Sequence, residues 1–199
     1  MEFTLEMVRS NSFGVDLKEL IERGSIISVV DFLDVYDELN ARKENYEYQE
    51  TYQPSGCLYG SRFHAHPCYE TEKLEIVDLE LDNIIRSKVK NLFSQKIIDW
   101  KCFVRLSLSS EVKESNALQN SNYSFVHKDP EAFAGVLPFE QSPTGGTAFF
   151  EYHWDKVPDI THGSYPNRLI LYNGHRWHAA GQDFNFEKRY VLAIFFNLA

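Results

Sequence analysis

Apolar and polar positions divide this chain into an early part of mixed periodicity and a late part that alternates. Over 16–23 (DLKELIER) apolar residues recur at helical spacing and the run stops at Gly24, which predicts a short amphipathic helix. The β-branched apolar run IISVVDF over 26–32 predicts a strand. Helical spacing returns over 33–42. The stretch 46–67 has no period and carries Pro54, Gly56 and Gly60. A longer helix is predicted over 74–95, with apolar residues at Leu81, Ile84, Ile85, Val89 and Leu92.

From Ile97 the period shortens. WKCFVRLSL over 100–108 alternates as a strand does, and the polar stretch 109–122 predicts a loop. Six further strands are predicted over 123–128, 132–139, 147–154, 168–172, 178–181 and 189–197. Turn signals separate them at 142–146 (SPTGG), 165–167 (YPN) and Asn173-Gly174. Short strands at this spacing predict a sandwich or barrel. The fold class is α+β and mainly β, with early helices packed on a β-roll. The reading is one domain over 1–199, with helical support over 14–95 and a β core over 97–199.

Composition sharpens this picture. Fifteen Phe and 11 Tyr favour a β-rich core, because aromatic rings suit a pleated, half-buried surface. A net charge of −9 argues against a general nucleic-acid-binding face, since an acidic surface repels phosphates. No long apolar run predicts a membrane span, and the N-terminus lacks the basic and apolar segments of a secretory signal. The three cysteines, Cys57, Cys68 and Cys102, are odd in number and not spaced as CxxC. They point to neither a disulfide framework nor a thiolate zinc site, and a reducing cytoplasm is the expected compartment.

The candidate chemistry begins at His127-Lys128-Asp129, an H-x-D. On a strand, residues i and i+2 share a face, so imidazole and carboxylate would project together toward one cation. A third ligand would complete a two-His, one-carboxylate facial triad, the ligand set of non-haem Fe(II) oxygenases. Alone, such a tripeptide reads more readily as a surface pair in a loop. His178 supplies the third ligand: it follows the apolar strand over 169–172 and the turn at Asn173-Gly174, and it precedes Ala179 and Ala180, which leave room beside a metal. His178 could equally be a satisfied core histidine. Neighbouring His175 belongs to the turn and is not the expected ligand. Arg189 opens the strand RYVLAIFFN, where parity places Arg189, Val191, Ala193 and Phe195 on one face. A guanidinium on such a face calls for a carboxylate partner, unless it lies at a wet strand edge.

Together these residues resemble the 2-oxoglutarate/Fe(II)-dependent dioxygenases, in particular the prolyl-4-hydroxylase-like branch. The matching residues are His127 and Asp129, Gly145-Gly146-Thr147 opening a strand, Leu169 to Tyr172 leading to His178, and Arg189 with its closing strand. Val29 to Leu33 also looks like the first strand and helix of that branch. The resemblance covers roughly 26–199. It implies a double-stranded β-helix, or jelly roll, with His127, Asp129 and His178 as catalytic metal ligands for Fe(II). It implies that Arg189 holds the distal carboxylate of the co-substrate, 2-oxoglutarate. The implied reaction consumes dioxygen and hydroxylates an unactivated C–H of an amino acid, a peptide or another small substrate. Asp129 stands where related halogenases lack a carboxylate, so hydroxylation is the expected outcome. Two positions depart from the branch: Val191 stands where many relatives have Ser or Thr, and the strand before H-x-D offers Arg105 and Ser107 where relatives often have Tyr.

Two other classes account for part of the pattern. A non-oxygenase, cupin-like or ligand-binding jelly roll explains the strands and a metal site but gives Arg189 no task. A zinc hydrolase could use the same three ligands with a bound water. The stretch 52–69, with Tyr59, Arg62, His64 and His66, reads either as part of a lid or as an ordinary surface loop.

Overall fold

A computed structural model describes residues 2–4, 16–51, 68–119, 126–155, 157–181 and 187–199. In the first half it contains β1 (Glu2–Thr4), α1 (Leu17–Glu22), β2 (Ile27–Val30), α2 (Tyr36–Arg42), β3 (Gln49–Glu50), β4 (Tyr69–Glu70), α3 (Leu74–Val77) and α4 (Leu79–Lys90). Then follow β5 (Ile97–Leu108), α5 (Ser109–Gln119), β6 (Phe133–Pro138), β7 (Ser142–Phe150), β8 (Ile160–Ser164), β9 (Leu169–Asn173), β10 (Trp177–Ala180) and β11 (Lys188–Leu198).

The strands form two sheets. The larger runs β1-β2-β9-β6-β11-β5-β4-β3 and the smaller runs β10-β7-β8. Short strands from the first half therefore complete both edges of a sheet whose centre comes from the second half. Alternation along β11 sorts the interior into two layers. Tyr190, Leu192, Ile194 and Phe196 pack with helix residues such as Ile21, Leu39, Ile85 and Val89. Ala193 and Phe195 point the other way and meet Phe149 of the smaller sheet, together with Ala134, Ile170 and Tyr172. The same parity holds on β9, where Leu169 and Leu171 face the helices and Ile170 and Tyr172 face the other sheet. The result is the expected jelly roll: two facing sheets, with helices covering the outside of the larger one.

Polar bonds anchor the helices to the sheet. Trp100 on β5 donates through Nε1 to the buried Asp82 of α4 at 2.9 Å. The Tyr36 hydroxyl of α2 donates to the Phe139 carbonyl at 3.0 Å, and the Asn167 side chain clasps both backbone groups of Leu33 at 2.8 and 3.0 Å.

Several elements depart from the pattern-based expectation. The helix expected over 74–95 is broken at Asp78, whose extended φ of −153° ends α3 and whose carboxylate caps α4 by accepting from Leu81 N. The loop expected over 109–122 is instead the helix Ser109–Gln119, up to the limit of the described residues. The strand expected over 147–154 stops at Phe150, after which the chain turns and Tyr152 stacks on Trp154. Within the described part of the strand expected over 123–128, only His127 pairs, by a single antiparallel bridge to His178. β8 was not expected, because ITHGS is polar and partly exposed, as an edge strand can be. The lid-or-loop stretch lies outside the described residues apart from Cys68 and Tyr69, and Cys57 lies outside them too. Among the described residues no helix is long and apolar enough to cross a membrane.

Candidate metal centre

The single bridge at His127 is what assembles the site. His127 N donates to the His178 carbonyl and His178 N donates to the His127 carbonyl, each at 2.9 Å. This reciprocal pair brings the H-x-D against the start of β10. One turn later, Asp129 N donates to the Gly174 carbonyl at 2.8 Å, and Gly174 N donates to the Ala132 carbonyl at 2.9 Å. Asp129 is thereby set beside both rings. His178 Nε2 lies 3.3 Å from Asp129 Oδ2, and His127 Nε2 lies 3.7 Å from Asp129 Oδ1. One donor atom from each of the three residues fits within a mutual distance of 4.8 Å. Asp129 is 9% exposed and His178 is 4% exposed, so this is a buried arrangement of ligating groups.

The bonding around His178 tests whether a metal fits. Its Nδ1 lies 2.8 Å from the Arg176 carbonyl, which can only accept, so Nδ1 carries the proton. In the neutral ring, Nε2 then presents a bare lone pair toward Asp129 Oδ2, a buried oxygen that has no hydrogen-bond partner. Two acceptors facing each other repel until a cation lies between them. A ligating histidine that gives its other N–H to a backbone carbonyl is the usual support of a metal site. The three residues therefore fit a divalent metal. Burial alone would push the Asp129 carboxyl up; without a metal, a proton on His178 Nε2 takes the cation's part, and with His127 and Arg105 it outweighs burial and holds the carboxyl below its ordinary value.

The walls of the site come from the inter-sheet layer. The Tyr172 ring meets the His178 ring edge-on at 4.9 Å, and Phe149 meets Tyr172 edge-on at 5.0 Å. On the face of β10 that carries His178, Ala180 pairs in register with Thr147, and both line the cavity. The Arg176 side chain donates to the Gly24 carbonyl at 2.7 Å, which steadies the turn that carries the His178 acceptor.

Arg189 lines the same cavity as the three ligating residues. It is 9% exposed and its Nη2 donates to the Gly146 carbonyl at 3.3 Å. Burial lowers this guanidinium to about 10, with Glu140 opposing and neighbouring Arg105 adding to the shift. The environment thus favours an added negative charge. Val191, Ala193 and Phe195 line the cavity beside it, as strand parity requires. His175 is exposed, with Nε2 3.4 Å from the Pro130 carbonyl, and stands outside the group of ligating atoms.

Sequence reasoning named Thr147 and Tyr172 as parts of matching strands without a site role, and Glu70 not at all. Tyr172 and Thr147 line the cavity. Tyr172 carried a signal, since a tyrosine among buried aliphatics needs a task for its hydroxyl. Its hydroxyl is pushed well above its ordinary value by burial and Asp129, against the pull of Arg105 and Arg189. Glu70 carried no local signal: it binds Arg105 through Nε at 2.8 Å and Nη2 at 2.7 Å from a strand of two residues.

No protein-family model matches the chain, and no curated protein matches it. Its likeness is to solved structures. A prolyl hydroxylase from Trichoplax adhaerens, in complex with a hypoxia inducible factor oxygen degradation domain peptide fragment, aligns with a TM-score of 0.65 at 11% identity, covering 96% of this chain and 91% of that one. The non-heme alpha ketoglutarate dependent epimerase SnoN from nogalamycin biosynthesis aligns with a TM-score of 0.58 at 14% identity, covering 96% of this chain and 81% of that one. A Pseudomonas putida prolyl-4-hydroxylase aligns with a TM-score of 0.53 at 13% identity, covering 98% of this chain and 99% of that one. The chain shares the fold of these proteins along nearly its whole length.

Proposed function

We propose that this protein is an Fe(II)- and 2-oxoglutarate-dependent dioxygenase that hydroxylates an unactivated C–H bond of an amino acid, a peptide or another small substrate. One observation carries the reading: a two-His, one-carboxylate cluster, with Asp129 and His178 buried, shares a cavity with a buried arginine. A metal-binding jelly roll without this chemistry leaves Arg189 without a task, and so does a zinc hydrolase. Fold neighbours that include a non-heme alpha ketoglutarate dependent enzyme and two prolyl hydroxylases support the same choice.

In this reading His127, Asp129 and His178 would hold the iron, a two-His, one-carboxylate set that suits Fe(II). When bound, iron and 2-oxoglutarate supply an oxidative decarboxylation that yields succinate and carbon dioxide and transfers one oxygen atom to the substrate. The protein supplies position and environment. Arg176 fixes the tautomer of His178 through its carbonyl, so that Nε2 faces the metal. Arg189 binds the distal carboxylate as a charge-assisted pair. Phe149, Phe195 and the small residue Ala193 keep the interior apolar and dry around the reacting groups.

We read residues 1–199 as one oxygenase domain acting in a reducing cytoplasm, a reading supported by the free thiols of Cys68 and Cys102. The test is succinate formation from 2-oxoglutarate in air with Fe(II), with and without candidate substrates. Slow uncoupled turnover is expected even without substrate. Turnover with zinc alone, or none with iron, would refute the reading.

A further inference from the structure

The cavity holds a second guanidinium, its side chain 13% exposed, that the proposed function leaves without a role. Arg105 projects from β5 into the same interior as Arg189 on β11. Their placement follows from strand register. Ser107 lies opposite Arg189 and Arg105 lies opposite Val191. The two arginines thus share a face and are offset by one two-residue step, about 7 Å along the strands.

The direction of that step matters. At its far end β11 pairs Phe196 with Phe133, and Phe133 pairs with Asn173 of β9. The next residue, Gly174, accepts the hydrogen bond of Asp129 N. The metal end of the cavity therefore lies toward Phe195–Phe196, and Arg105 stands one step nearer to it than Arg189.

Arg105 is also built to stay put. Glu70 accepts from its Nε and Nη2 on a single oxygen, Oε1. The guanidinium plane, with five N–H donors in fixed directions, is oriented by that grip. Glu70 offsets the charge of Arg105 and Glu140 part of that of Arg189, and two guanidiniums on one face still favour a ligand that brings further negative charge. A ligand with a carboxylate at each end meets that demand, and Val191 offers its methylene carbons an apolar seat between the arginines.

We propose that Arg105 binds the carboxylate of the keto acid nearest the metal, while Arg189 binds the distal one. The co-substrate then lies along the interior face of β11, with Glu70 as the residue that positions Arg105. This inference rests on the oxygenase reading and adds a contact to it.

The test compares two acids by calorimetry on Mn(II)-loaded protein: 2-oxoglutarate, and 2-oxopentanoate, which carries a methyl group in place of the distal carboxylate. The unaltered protein should bind both, 2-oxoglutarate more tightly. Arg189→Gln should abolish that preference and keep 2-oxopentanoate affinity. Arg105→Gln should weaken both acids at least tenfold, the lower end for a hydrogen bond to a charged group, and leave their ratio unchanged. Because Arg105→Gln takes from half-buried Glu70 its Arg105 pair, the double variant Arg105→Gln/Glu70→Gln is measured beside it. It should show the same loss with unchanged circular dichroism and retained Mn(II) binding. The proposal is overturned if the double variant binds 2-oxopentanoate as the unaltered protein does. A loss confined to 2-oxoglutarate overturns it too, since Arg105 would then sit at the distal end. If the unaltered protein binds neither acid, the oxygenase reading itself falls, a result distinct from the other two.

Discussion

Adding one methyl group at Gly174 should disable the metal centre. A Cβ there would overlap the carbonyl oxygen of Glu131 and lie 3.2 Å from Asp129 Cβ. The obstruction is backbone rather than the end of a flexible side chain, so the 129–131 segment must move. Restoring ordinary contact requires a retreat of roughly 1 Å, a displacement that typically costs on the order of 10²-fold at a reacting centre. The same movement strains the Asp129 N to Gly174 O and Gly174 N to Ala132 O bonds. Overpacking of this kind costs about 1–3 kcal/mol of stability. Gly135→Ala is the control: its Cβ would meet the Leu171 and Leu169 methyl carbons at 3.0 and 3.2 Å, groups that can swing aside, on the helix face of β6. The expected result is a loss of metal affinity in Gly174→Ala and ordinary affinity in Gly135→Ala, with both variants folded by circular dichroism. Calorimetric titration with Mn(II) and urea unfolding measure the two effects. A Gly174→Ala protein with unchanged metal affinity would show that the position of Asp129 does not depend on that contact, and the reasoning would fail.

Three further outcomes follow. His178→Ala should lose the metal and all Fe(II)-dependent turnover, while His175→Ala, at an exposed turn, should keep both; the reverse result in a metal-content assay would place the ligand wrongly. Arg189→Ala should weaken 2-oxoglutarate far more than metal, by about 2–5 kcal/mol for truncating one side of a buried charge pair, as read by calorimetry. Glu140 accepts from Tyr190 N at 3.0 Å, and burial, only partly offset by Tyr190, Lys43 and Arg189, holds its carboxyl above the ordinary value. A raised carboxyl contributes stability that is present below its unfolded value and lost as pH rises through the folded one. Glu140→Gln should therefore gain stability relative to the unaltered protein on going from pH 4 to pH 8, and urea midpoints that diverge in the opposite direction would contradict this.

The parts of the fold that were legible are those where one physical signal dominates. β11 alternates over an apolar run, so both its existence and its facing followed from period alone. The early helix over 16–23 and the strand over 26–32 were legible for the same reason. α5 was not, because SSEVKESNALQ is mostly polar and Val112 is the residue among its described side chains that reaches the core. The break at Asp78 was hidden inside a continuous helical period, and only its capping bond to Leu81 explains it. In the candidate site, H-x-D and Arg189 could be picked out by residue type. The pairing that brings His127 to His178 could not, since it is one bridge rather than a strand and depends on the turn at Gly174. Glu70 was invisible in the same way: its role lies in a pairing of Tyr69-Glu70 with Leu106 and Arg105, distant in sequence.

The parity of β11 also shapes how this protein can change over evolutionary time or in the laboratory. Its even-numbered residues from Tyr190 to Phe196 hold the helices, while its odd-numbered residues from Arg189 to Phe195 form the cavity. Neighbouring codons therefore answer to different selections, one for folding and one for what the cavity accepts. A library varied at Val191, Ala193, Val136 and Thr147, with Leu192, Ile194 and Leu137 left fixed, samples new ligand shapes on a constant scaffold. Divergence between this chain and its descendants would accordingly appear at every second position of the central strands, a rhythm that a comparison of their sequences could read.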